Sequence, residues 1–141
     1  MWLKNQRTDR VVASDLELAM TRAARRRGLL HRDALDPSSA LMLSPCFSVH
    51  TAFMRFPIDV VFVDADGVIR RIVPDLGPWR IAIDAGARAV IELAGGAAAA
   101  HDLRRGDRVY LLAASDEEAG FLASRSPSLR RIASNPACSG S

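Results

Sequence analysis

The sequence predicts a mainly-β domain: a small barrel-like or sandwich sheet of about six to eight short strands, with one helix in its N-terminal half. Two observations lead there. Short apolar, β-branched runs recur between Gly, Pro and Asp turn signals, and no helical periodicity separates the later runs, which argues against an alternating α/β sheet. The chain of 141 residues is long enough for one hydrophobic core. Its 6% aromatic content leaves that core to Val, Ile, Leu, Ala and Met. One domain is expected over residues 1–114, with an appended short helix at 116–123 and a disordered Ser-rich tail making up the rest of 115–141.

Residues 1–13 read as two strands around a polar turn at Asn5 to Asp9, with Arg10 to Ala13 as the second. Ser14-Asp15-Leu16-Glu17 has the pattern of a capping box, and Leu16, Ala19, Met20, Ala23 and Ala24 follow at helical spacing. A helix over residues 14–27 is therefore expected. Arg25, Arg26 and Arg27 would complement its dipole, and Gly28 would supply the left-handed stop. Asp36-Pro37-Ser38-Ser39 is a turn signal, and Ala40 to Leu43 reads as a strand closed by Ser44-Pro45. Ile58 to Val63, the turn Asp64-Ala65-Asp66-Gly67 and Val68 to Val73 predict a hairpin at the centre of the sheet, broken after residue 73 by Pro74 to Pro78. Arg88 to Leu93 gives a further strand, Gly95-Gly96 a turn, Ala97 to Leu103 one short helical turn, and Arg108 to Ala113 the last strand. Met42, Met54, Phe62 and Trp79 are assigned to the core.

Net charge is +3 with a pI near 9.5, an excess due to Arg, since Lys4 is the single lysine. Acidic residues are interspersed, which gives a mixed basic surface rather than a nucleic-acid footprint. The N-terminus has no apolar run of signal length, and nothing approaches the roughly 18 apolar residues of a membrane span. A soluble, cytoplasmic domain is expected, in which Cys46 and Cys138 form no disulfide.

The segment from residue 46 to 69 sets a histidine, an arginine and a mid-strand carboxylate in an otherwise apolar stretch. Such groups are costly to bury without partners. Period two places Asp59 on one strand face with Val61 and Val63, so it needs a cation or several hydrogen-bond donors beside it; it is expected to be buried and paired with a cation, the candidates being His50, Arg55, or Arg26 or Arg27 brought in by folding. His50 with the Thr51 hydroxyl and the Arg55 guanidinium could bind an anion or shuttle a proton. Glu92 is a second strand-borne carboxylate, on the face of Val90 and Ala94. Cys46 and His50 have the spacing of a metal pair on a helix, but Pro45 and the β pattern oppose a helix, and His31 and His101 stand alone. No metal and no cofactor are expected. Phosphate-cradling, nucleotide-binding, nucleophile-elbow and zinc-protease motifs are missing.

Arg27-Gly28-Leu29-Leu30, Leu41-Met42-Leu43, Val49 through Gly67, Val90-Ile91-Glu92-Leu93-Ala94-Gly95-Gly96 and Leu103 through Val109 follow one another in an order that resembles the signature of the bacterial and archaeal family called domain of unknown function 192. The resemblance implies a small mainly-β domain with a helix near its start, and it implies no activity. Many relatives carry Trp-Met-Lys-Asn-Thr where this chain has Phe53-Met54-Arg55-Phe56-Pro57, and many carry a secretion signal.

The expected function is binding of a small polar or anionic ligand, or of a protein partner, at the segment from His50 to Asp59. The candidate ligand-binding residues are His50, Thr51, Met54, Arg55, Asp59, Arg27 and Glu92. The alternative is a hydrolase using His50 and Asp59 with an Arg as anion stabiliser; no activated nucleophile beside His50 is evident, and no catalytic residue is assigned. Nucleic-acid binding ranks third, because few aromatic residues are available for stacking.

Overall fold

Ten strands and two short helices form among residues 1–27, 29 and 32–113, which the computed structural model describes. In chain order they are β1 (Trp2–Asn5), β2 (Arg10–Ala13), β3 (Asp15–Ala19), α1 (Arg22–Arg27), β4 (Ser39–Leu43), β5 (Ser48–His50), β6 (Ile58–Val63), β7 (Ile69–Leu76), β8 (Ile81–Ile83), β9 (Ala89–Ala94), α2 (Ala97–Ala100) and β10 (Val109–Leu112). The helix expected at 116–123, the tail and the Gly28 stop lie outside the described residues.

The strands make three sheets, β10-β1-β2, β3-β4-β9-β6-β7 and β5-β8, with no closed barrel among them. The five-stranded sheet lies between two apolar layers. On one face Met42, Val61, Val63, Ile91 and Leu93 pack against Leu3, Val12 and Val109 of the three-stranded sheet and against Ala97 and Ala98 of α2. On the other, Leu41, Leu43, Ile58, Val60, Phe62 and Val90 pack against Val49, Ala82, Met54, Leu29 and Leu35. Burial on both faces is why β6 and β9 read as continuous apolar runs instead of alternating ones.

The helix expected at 14–27 is replaced by strand β3 and the shorter α1. Asp15 to Ala19 pairs in parallel with Ser39 to Leu43, which buries Leu16 against the first core and Ala19 against the second. The Ser14 and Asp15 amides are taken by the Ser38 carbonyl. Strand pairing and burial outweigh a local capping signal. A parallel pair needs a crossover connection, and α1 lies within it. Its cap is Thr21, whose Oγ1 accepts the Ala24 amide at 3.0 Å.

The 64–67 turn forms as expected: Asp64 Oδ1 accepts the Asp66 and Val68 amides at 2.8 and 3.0 Å, and Gly67 takes φ 80°. The hairpin is not central, however. β9 occupies the middle of the sheet and β7 its edge. At an edge a strand tolerates proline, so β7 runs through Pro74 to Leu76 where a break was expected.

Candidate functional site

Asp59 and Glu92 are both fully buried, on opposite faces of the sheet. Asp59 pairs with Leu93 of the first core, whereas Glu92 pairs with Leu41 and Val60 of the second. Among the described residues Asp59 forms no ion pair with an arginine or histidine, and of the two kinds of partner its position calls for it has the several donors rather than the expected cation. Its carboxylate accepts the amides of Asp75 at 2.9 Å, Gly96 at 3.1 Å and Ala98 at 2.8 Å. Backbone donors do the work expected of a cation, tying β7 and the start of α2 to β6. Gly95 belongs to the same junction, where an added Cβ would stand 2.8 Å from Asp75 Oδ1.

The remaining predicted residues lie on the second-core side or at the surface. His50 ends β5 half-buried, opposite Ile81. Met54 is buried in the second core. Arg55 is exposed and pairs with Asp33. Arg27 closes α1. Asp59 and Glu92 thus enter opposite layers, and the sheet separates His50 from Asp59.

Thr51 is a junction. Its Oγ1 donates to the Gly77 carbonyl at 2.6 Å and accepts the Arg80 amide at 2.8 Å; its own amide donates to the Arg80 carbonyl, and its carbonyl accepts the amides of Met54 and Trp79. Around this knot Phe53 and Trp79 take φ of 64° and 61°, a left-handed conformation unusual for bulky side chains. Their rings meet edge to face with centroids 4.6 Å apart, 71% and 63% exposed. Trp79, expected in the core, is thus a surface residue, because the second core is closed by Ala82 and Val49 instead. In β8 the small Ala82 faces inward while Ile81 and Ile83 face out, 70% and 52% exposed.

A cleft of about 730 Å³ opens beside Ile83, lined by Asp64, Val68, Ile69, Arg70, Arg71, Asp84, Arg105 and Gly106. None of its residues was predicted. The available signal was the Arg70-Arg71 pair after an apolar run, read above only as strand, together with the basic turn sequence Arg104-Arg105-Gly106. Arg70 grips Asp84 with Nε to Oδ2 at 3.0 Å and Nη2 to Oδ1 at 3.1 Å. That grip holds the Asp84 carboxyl below its ordinary range, with help from the Gly86 amide and against the effect of burial; it also raises the Arg70 guanidinium. Gly86 lies flat on the guanidinium, where a Cβ would stand 2.2 Å from Arg70 Nη2. Arg71 Nη1 donates to the Ile83 carbonyl at 2.9 Å.

Next to the cleft Asp107 is buried beneath Asn5, Arg7 and the Arg104 amide, at 2.9 Å from Asn5 Nδ2, 2.7 Å from Arg7 Nε and 3.0 Å from the amide. Burial alone would raise its carboxyl; the Arg7, Asn5 and Arg104 donors outweigh burial and lower it. Among the described residues no group of three or more His, Cys, Asp or Glu side chains could hold a metal ion, and no helix is long and apolar enough to cross a membrane.

The architecture defines a small three-layered β domain with buried polar junctions and an arginine-lined surface cleft. Residues 3–111 match the family described as DUF192, uncharacterized ACR, and the chain belongs to that family. It is similar to the solved structure of a protein of unknown function from Novosphingobium aromaticivorans DSM 12444, with 28% identity and a TM-score of 0.63 over 68% of this chain and 74% of that one. It also shares its fold with a candidate transcription regulator from Sinorhizobium meliloti 1021, at 23% identity and a TM-score of 0.68 over 77% of this chain and 90% of that one. No curated protein matches the chain.

Proposed function

We propose that the domain is a binding module for an anionic ligand, and that the ligand sits in the arginine cleft rather than between His50 and Asp59. One observation carries this reading: among the described residues both carboxylates of the cleft have hydrogen-bond partners within the fold, while Arg71 and Arg105 form no ion pair, so three guanidinium groups face two carboxylates. Asp84 is matched by Arg70 and the Gly86 amide, and Asp64 by the amides of its own turn. Arg71 spends one donor on a carbonyl, and Arg105 makes no hydrogen bond or ion pair with the described residues, so the wall they form is positive. Guanidinium groups suit phosphate and carboxylate oxygens because their planar donors bind two oxygens at once. Val68, Ile69 and Ile83 add an apolar lining.

Hydrolysis by His50 and Asp59 would need the two to meet, and the sheet stands between them. Transcriptional regulation, the role suggested for the Sinorhizobium protein, would call for a broad basic face. The alternation of Arg with Asp along this cleft better supports a localised anion.

The test is a titration with inorganic pyrophosphate followed by amide resonances. Shifts are expected at residues 68–71, 83–86 and 105–106, with affinity falling about tenfold in Arg71→Gln and in Arg105→Gln and the melting temperature unchanged. Silence at millimolar pyrophosphate, or shifts confined to other surfaces, would overturn the reading.

A further inference from the structure

Ile83 belongs to two surfaces at once, the wall of the arginine cleft and the outward row of β8. We infer that the anion bound in the cleft is the acidic part of a partner polypeptide, which lies extended along Ile83, Ile81 and the Phe53–Trp79 pair. This rests on the anion-site reading above and names its ligand.

The row is continuous with the cleft and faces the solvent. Ile81 and Ile83 share one strand face because Ala82 turns inward. Trp79 stands two residues before Ile81, and Phe53 is packed on Trp79. None of the four is required to close the second core, which Ala82, Val49 and Met54 already seal. Their exposure is also imposed by the backbone: the Thr51 hydrogen bonds fix the two loops in which Phe53 and Trp79 take positive φ. Unusual backbone held by a buried polar junction is characteristic of surfaces that bind. Rigid exposed aromatics beside arginine have the composition of interface hot spots.

The chemistry of the row selects among occupants. A free small anion would use only the arginine end. An extended peptide presents side chains on one face at every second residue, the same spacing as Ile81 and Ile83, so its apolar side chains can lie along the row while a carboxylate reaches Arg71 and Arg105. A nucleic acid would want open ring faces for stacking, but Phe53 and Trp79 meet each other edge to face and their neighbours are aliphatic. A second copy of this chain would bring a like-charged cleft to the same surface.

The experiment is selection from a displayed library of random peptides against the full chain, followed by calorimetric titration of the enriched peptide. Enriched sequences are expected to place Asp or Glu beside apolar residues at alternate positions. Affinity should fall about tenfold or more in Trp79→Ser, in Phe53→Ser and in Arg71→Gln, while Trp79→Ser and Phe53→Ser leave pyrophosphate binding and the melting temperature as in the wild type. Three results would overturn the inference and leave the anion site standing: no enrichment, enrichment without acidic residues, or peptide affinity indifferent to both aromatic substitutions, each with pyrophosphate still bound. Failure of pyrophosphate itself to bind overturns the anion-site reading instead. A mixed-sequence DNA duplex that binds and is lost in Arg71→Gln, or a dimer in sedimentation that Trp79→Ser dissociates, replaces the polypeptide with that occupant.

Discussion

Asp59 and Glu92 leave adjacent strands one register step apart and enter opposite layers of the protein. Leu93 is the partner of Asp59 and Val60 the partner of Glu92, so each carboxylate shares its layer with the apolar residues of that layer alone. They are separate structural elements and cannot act as an acid and base pair.

Asp59→Ala should cost about 3 kcal/mol or more by denaturant unfolding, because it strands three amide donors in or beside the first core. Asp59→Asn should destabilise less but still clearly, since its amide nitrogen must face one of those donors. A change within about 0.5 kcal/mol for Asp59→Ala, the range of ordinary surface substitutions, would refute the three-donor junction.

Thr51→Val keeps the shape of the side chain and removes the hydroxyl that links the Gly77 carbonyl to the Arg80 amide. A loss of roughly 1–3 kcal/mol is expected, with Thr51→Ser close to wild type, both read from thermal unfolding. Equal stability of the Val and Ser variants would show that the hydroxyl is not what holds the two loops.

Asp107 gives stability a dependence on acid pH. Its folded pKa lies below the ordinary 3.8, so its contribution is fully present above that value and is lost as pH falls through the folded pKa. Asp107→Asn should lower stability at neutral pH and flatten the acid limb of the stability profile, measured by urea unfolding across acid pH. An unchanged slope would assign the acid limb to other carboxylates.

Thr21→Ala should cost about 1 kcal/mol, as loss of a helix cap does, and Ser14→Ala should fall within about 0.5 kcal/mol of wild type. The reverse order in chemical denaturation would restore a helix beginning at residue 14.

Amide exchange should be slowest in Val60 to Val63 and Val90 to Leu93, which lie inside the sheet and are buried on both faces. Residues 70–76, on the edge strand, should exchange faster. Comparable protection in both groups would mean that β7 is covered.

Much of the sheet could be read from local chemistry, because turns and strands announce themselves over a few residues. Asp64 and Gly67 specify their turn, and Val60 to Val63 can only be interior strand. The capping pattern at Ser14 misled for the same reason that local signals usually succeed: it records what a segment prefers alone, and β4 offered that segment five paired residues instead. Strand alternation correctly predicts that Asp59 is buried, while the burial of Thr51 and Glu92 comes from the packing of the layers around them. Burial did not make them a site. What decided that was which face each strand residue meets and where the loops carry Trp79 and Phe53, and these depend on contacts between residues far apart in the chain. The sequence by itself determined that this is a mainly-β domain with polar groups sealed in its core. Only the tertiary structure made Asp59 and Thr51 junctions with backbone groups and left Arg71, Arg105 and Ile83 together at an open cleft, because strand order and the second apolar layer are set by long-range packing.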